Sequence, residues 1–194
     1  MIKVSNLFSD YLFIENLSGV DNLGVIDYLT GISKKDSGVV VSNRGGYQST
    51  PIEKTDNRAF SALAYTVTHY ANEVAKVVGN KPVSIGGVWG NINNREDYND
   101  LHHHADCGMS AVYYPKCLPN QGAICFKRDE LPLSFLRKGH HRQTQFSKPE
   151  VKYMPKTGDL IIFPSWVLHQ VEPNDSNISR VSVAFNFVIA DIPN

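Results

Sequence analysis

Apolar residues at Phe60, Leu63, Ala64, Val67, Tyr70, Ala71, Val74 and Val77 recur every three or four positions, the spacing that lays one stripe along a helix. The pattern predicts a helix over about residues 56–78, with Thr55 able to cap its start and Gly79 suited to the position just past its end. A shorter helix is expected from Asp21, a good cap, to about residue 34, with Leu23, Ile26 and Leu29 on its inner side. From residue 83 the period changes to two. The clearest case is 180–189, where Val181, Val183, Phe185 and Phe187 alternate with Arg180, Ser182, Ala184 and Asn186. Further strands are predicted over 83–91, 99–106, 109–114, 122–126, 158–163 and 167–172, with a weaker first strand over 7–14 and another running from 39 into the Gly45-Gly46 turn. Short strands separated by turns argue for a sandwich or a barrel, and the long helix is expected to pack on its outside.

The length fits one domain over 1–194, with helical support at about 20–80 and a β barrel at about 83–190. Nineteen Lys and Arg balance nineteen Asp and Glu, so bulk charge points neither to nucleic acid nor to an anionic membrane. No apolar run approaches the roughly 20 residues needed to span a bilayer, and residues 1–7 do not read as a signal peptide. Cys107, Cys117 and Cys125 are an odd count without metal-type spacing, which suggests reduced thiols and a cytoplasmic setting.

The chemistry-bearing stretch is 99–106. If it is extended, His102, His104 and Asp106 project to one side, a metal-binding face in outline. A run of three histidines can equally be a solvated loop. A distant third ligand is available in His169, and Arg180 and Ser182 follow it on the mixed face of the last strand. A buried, unpaired guanidinium is very costly, so Arg180 makes sense there if an anionic ligand meets it. His69 lies off the helical stripe and reads as solvent-facing, and Trp89, Asn91, Trp166 and Asn186 are candidates for lining a cleft, with core packing the other role for the tryptophans. The segment 45–49 reads either as a turn that needs glycine or as a cleft wall. The long, partly basic stretch 127–156, with Arg137, Lys138, His140, His141 and Arg142, reads by default as a solvated loop, and otherwise as a loop that touches substrate.

Taken together, Asn99, His102 and His104, then Ser110, Val112, Tyr113 and Tyr114, then Gly158-Asp159, Phe163-Pro164-Ser165 and His169, then Arg180, Ser182, Phe185 and Asn186 resemble the small iron(II)- and 2-oxoglutarate-dependent oxygenases common in marine bacteria and cyanophages. Ala111 stands where that pattern has glycine. The resemblance covers roughly residues 40 to 190. It implies a double-stranded β-helix of jelly-roll or cupin-like type, prolyl-hydroxylase-like, using Fe(II), 2-oxoglutarate and O2 to hydroxylate a small molecule or peptide with release of succinate and CO2. Arg180, Ser182 and Tyr114 would hold the far carboxylate of 2-oxoglutarate. Two metal sets are implied. The broad superfamily pattern gives His104, Asp106 and His169, preferred here because a carboxylate lowers the charge of a ferrous site; the narrower His-x-His pattern gives His102, His104 and His169. A cupin-type three-histidine dioxygenase that does not use 2-oxoglutarate, and a non-catalytic jelly-roll binding module, are the alternatives.

Overall fold

The computed structural model describes residues 10–53, 55–128 and 148–190. Its strands are β1 (Phe13–Asn16), β2 (Asn43–Arg44), β3 (Tyr47–Gln48), β4 (Val83–Asn93), β5 (Tyr98–His102), β6 (Met109–Lys116), β7 (Ile124–Lys127), β8 (Glu150–Tyr153), β9 (Asp159–Pro164), β10 (His169–Val171) and β11 (Arg180–Ile189); its helices are α1 (Asn22–Ser33) and α2 (Arg58–Val77). The strands form two antiparallel sheets, one of six in the order β1-β9-β6-β11-β4-β3 and one of five in the order β2-β5-β10-β7-β8. They make two layers rather than a closed barrel.

The alternation in β11 explains the layering. Val181, Val183, Phe185 and Phe187 join Met109, Ala111, Tyr113, Leu160 and Ile162 in a core shared with Val25 and Leu29 of α1 and Phe60, Leu63, Val67 and Ala71 of α2. The helices therefore cover the outer face of the six-stranded sheet, and each fully buried Val, Leu, Ile, Phe or Met side chain contributes about 1.5–3 kcal/mol. A second, smaller core of Tyr114, Ile124, Phe126, Ile161 and Phe163 lies between the sheets. The rest of the inter-sheet space is the cavity described below.

Several expectations are corrected in detail. The first strand begins at Phe13, and residues 7–9 of the expected segment lie outside the described residues. Leu23 is 74% exposed, because α1 buries Val25 and Leu29, and a residue two places from Val25 is turned about 200° round the helix. In α2 the cap is Asn57, whose side chain accepts from the Phe60 amide, while Thr55 Oγ1 accepts from Asn57. Val77 is 72% exposed, the stripe passing instead to Val78. The segment 39–49 is no single strand: β2 and β3 flank Gly45 and Gly46, both at positive φ (67° and 64°), which a side chain would strain. The expected strand over 99–106 stops at His102. The stretch 127–156 contains β8, while Arg137, Lys138, His140, His141 and Arg142 lie outside the described residues. No helix among the described residues is long and apolar enough to cross a membrane.

Candidate active site

His102 closes β5 and His169 opens β10, directly opposite each other in the ladder. Facing residues on antiparallel neighbours hold their Cβ atoms about 4.5–5.5 Å apart, and here the ring centroids are 4.3 Å apart. His104 lies two residues past the strand's end. Its amide donates to the Ser165 carbonyl at 2.9 Å, and the Ser165 hydroxyl donates to the Cys107 carbonyl, so one serine holds both arms of the turn that follows β5. That turn places the His104 ring 5.1 Å from His102 and 5.2 Å from His169. One nitrogen from each ring falls within 4.8 Å of the others.

Asp106 is not in this group. With β5 ending at His102, the alternation that would have carried His102, His104 and Asp106 to one side breaks off, and Asp106 occupies an exposed turn at φ 60°.

The hydrogen bonds of the ring nitrogens fix what two histidines can offer. Nδ1 of His102 lies 2.6 Å from the Asp100 carbonyl, and Nδ1 of His169 lies 2.8 Å from the Val167 carbonyl. A carbonyl only accepts, so each Nδ1 carries the proton and each Nε2 is left bare for a metal. Burial lowers the pKa of His102, and burial followed by the neighbouring imidazoles lowers His104 to about 4; burial and then His102 lower His169 to about 3. All three are neutral at ordinary pH, the form that binds a cation.

The facing sheet supplies the opposite chemistry. Arg180 is 1% exposed, with Nη1 donating to the Gln121 carbonyl and, at 3.4 Å, to the Glu172 carbonyl. Its Nη2 is buried with no hydrogen-bond partner, and no carboxylate among the described residues pairs with it. Ser182, one pleat further along β11, and Tyr114 of β6 are also buried. Burial pushes the Tyr114 hydroxyl's pKa up against the pull of Arg180, so it stays protonated and able to donate. The three histidines, Arg180, Ser182 and Tyr114 line one cavity of about 670 Å³ between the sheets. Trp89 and Asn91 line it as expected, the Asn91 Oδ1 buried without a partner. Trp166 does not; it is 59% exposed, and its indole N–H donates to Asp10. Gln48 and Ser49 line the cavity just past the Gly45-Gly46 turn, which is thus both a glycine turn and part of the wall. The carbonyls of Asp100 and Val167, and the clamp at Ser165, could not be found from the sequence, because a backbone acceptor has no residue-type signature.

The family model described as "Putative 2OG-Fe(II) oxygenase" matches residues 87–186. The chain belongs to this family. The matched span holds all three histidines, Arg180, Ser182 and Tyr114, and the enzyme is accordingly a 2-oxoglutarate-dependent non-haem iron oxygenase, with Fe(II) and 2-oxoglutarate as cofactors and O2 as cosubstrate. Solved structures of low identity show the same fold. A Pseudomonas putida prolyl-4-hydroxylase is 14% identical with a TM-score of 0.66, over 92% of this chain and 92% of that one. HygX from Streptomyces hygroscopicus, solved with nickel and 2-oxoglutarate bound, is 14% identical with a TM-score of 0.63, over 93% of this chain and 83% of that one. A Trichoplax adhaerens prolyl hydroxylase, solved with a hypoxia-inducible-factor peptide, is 14% identical with a TM-score of 0.67, over 92% and 83%. The oxygenase is thus built on a double-stranded β-helix. A search of curated protein sequences returns no match. The cofactors fit the residues present: bare imidazole nitrogens suit a divalent transition metal, and the orphaned Arg180 Nη2 suits a carboxylate.

Proposed function

We propose that the oxygenase holds Fe(II) through His102, His104 and His169, and grips the far carboxylate of 2-oxoglutarate through Arg180, Ser182 and Tyr114. The observation that carries this reading is the buried Arg180 Nη2, unpartnered, in the same cavity as the histidine cluster. Asp106, on its exposed turn, takes no part.

With iron and 2-oxoglutarate bound, the site supplies O2-driven hydroxylation of an unactivated C–H bond, releasing succinate and CO2. The chain's own contribution is placement. Three neutral imidazoles leave the metal's full positive charge to attract an anionic chelator. Arg180, whose fork geometry matches a carboxylate, fixes the other end of the keto acid from the opposite sheet, and Ser182 and Tyr114 donate hydroxyl hydrogen bonds to it. Trp89, its ring 5.7 Å from His104, and Phe163, its ring 4.8 Å from His169, give the metal side of the cavity an apolar lining.

The substrate is a small molecule or a peptide. The cavity of about 670 Å³ has room for one residue or a metabolite beside 2-oxoglutarate, and the Trichoplax enzyme and HygX have been solved with a peptide and with hygromycin B respectively. Three cysteines, all unpaired, support a reducing, cytoplasmic setting.

The test is an anaerobic titration of metal-free protein with Fe(II) and then 2-oxoglutarate, following the visible charge-transfer absorption of a chelated keto acid. The band should form in the wild type, vanish in His169→Ala and need far more 2-oxoglutarate in Arg180→Ala. Iron binding with no band at any 2-oxoglutarate concentration would overturn the cofactor assignment.

A further inference from the structure

Two of the three histidines owe their tautomer to a backbone carbonyl, but the third does not. Nδ1 of His104 faces a side chain, the carboxamide of Asn186 on β11, with the Asn186 Nδ2 at 3.4 Å. The other end of that carboxamide, Oδ1, accepts from the Ser110 hydroxyl at 2.9 Å, and Ser110 is the direct neighbour of Asn186 in the β11–β6 ladder. Asn186 comes just before a register shift in β11, the kind of irregularity that re-aims a side chain.

The arrangement has two states that differ in consequence. With Nδ2 toward the ring, the amide donates to Nδ1; the imidazole proton is then on Nε2, and that nitrogen cannot ligate. A half-turn of the amide exchanges its ends in nearly the same volume. Oδ1 then accepts from Nδ1–H, Nε2 is bare, and Nδ2 donates to Ser110 Oγ. A serine hydroxyl both donates and accepts, so Ser110 satisfies the amide in either state.

We propose that Asn186 is a positioning residue that sets the tautomer of His104, its carboxamide turning Oδ1 to His104 Nδ1–H when the metal binds, with Ser110 following the turn. This rests on the three-histidine reading above. It gives all three ligands the same outer support, an oxygen acceptor on Nδ1, and it gives Ser110 and Asn186 a defined task beside the metal ligands. Outer partners of this kind are worth about 10–100-fold in metal affinity.

The experiment compares wild type, Asn186→Leu, Asn186→Asp and His169→Ala by anaerobic titration with Fe(II), together with nitrogen-15 NMR of the imidazoles in zinc-loaded wild type. A carboxylate can only accept, so Asn186→Asp should bind Fe(II) as tightly as wild type or more tightly, whereas Asn186→Leu should bind at least 10-fold more weakly. A merely structural asparagine would be harmed by both replacements. The NMR spectrum should show His104 protonated at Nδ1 and metallated at Nε2. Wild-type affinity in Asn186→Leu, or a His104 proton on Nε2 in the zinc form, overturns the inference while leaving the three-histidine site standing. Absence of Fe(II) binding in the wild type, or binding undiminished in His169→Ala, overturns the three-histidine reading and this inference with it.

Discussion

A guanidinium without a counter-ion is among the costliest groups a protein can bury, and Arg180 is 1% exposed with one terminal nitrogen unpartnered. The carbonyls of Gln121 and Glu172 satisfy part of its fork and none of its charge. Losing one partner of a buried charged pair costs about 2–5 kcal/mol, so Arg180→Ala should raise the 2-oxoglutarate concentration for half-saturation by at least about 30-fold, read from the charge-transfer titration, with Fe(II) affinity unchanged. Arg180→Lys should recover little of that loss, since an ammonium cannot reproduce the two parallel bonds of the fork. Asp106 offers the opposite contrast. Its carboxylate is exposed on a turn outside the histidine group. Asp106→Asn should therefore leave Fe(II) affinity within about 2-fold of wild type, while His102→Ala or His104→Ala should lower it well beyond the roughly 10-fold seen when outer-shell partners are lost. A large loss in Asp106→Asn, measured by the same anaerobic titration, would return the carboxylate to the ligand set.

Elements fix these residues through their ends more than through their middles. Gly122, just before β7, has φ 85°, and a Cβ there would lie 2.3 Å from the Glu172 carbonyl oxygen and 2.7 Å from that of Pro173. The left-handed backbone alone costs a side chain about 1–2 kcal/mol, and the crowded atoms are backbone, which cannot swing away. Gly122→Ala should lower the melting temperature and, because the displaced Glu172 carbonyl is an Arg180 acceptor, also weaken 2-oxoglutarate binding; a variant that melts with wild type would show the turn to be slack. The same dependence on ends decides what could be read from the sequence. The β11 alternation and the α2 stripe were legible because tertiary burial enforces their periods over ten and twenty residues. His102, His104, Asp106 and His169 stand out in the sequence as candidate ligands, and Arg180 and Ser182 because such side chains are improbable in a dry core; the structure gathers the three histidines, Arg180 and Ser182 around one cavity. The place of Asp106 was not, since it depends on β5 ending at His102, and a strand's last residue has no marker in composition. β8 was also missed: it is a short strand paired to β7 with Lys127 opposite Glu150 in an ion pair, so charge supplies what hydrophobic alternation would otherwise signal.

At the scale of the whole molecule, the residues proposed for the two cofactors belong to different sheets. His102 and His169 belong to the five-stranded sheet, with His104 just beyond its β5, whereas Arg180, Ser182 and Tyr114 belong to the six-stranded sheet whose back is covered by α1 and α2. In the proposed site iron alone would engage one wall of the cavity, and 2-oxoglutarate, held from the other wall by Arg180, would tie the two together. A ligand that binds only the folded state at 100 times its dissociation constant adds about 2.7 kcal/mol, which for a domain of this size is a rise of about 5–10 °C in melting temperature. Thermal unfolding under anaerobic conditions should accordingly show two separable increments in the wild type, one from Fe(II) and a second from 2-oxoglutarate that requires Fe(II) to be present. In Arg180→Ala at the same 2-oxoglutarate concentration the first should persist and the second shrink towards nothing; in His169→Ala neither should appear, and a chelator should remove both from the wild type. An equal stabilisation by 2-oxoglutarate with and without metal would mean that the keto acid does not bridge the sheets through the iron, and the division of labour between the two walls would fall with it.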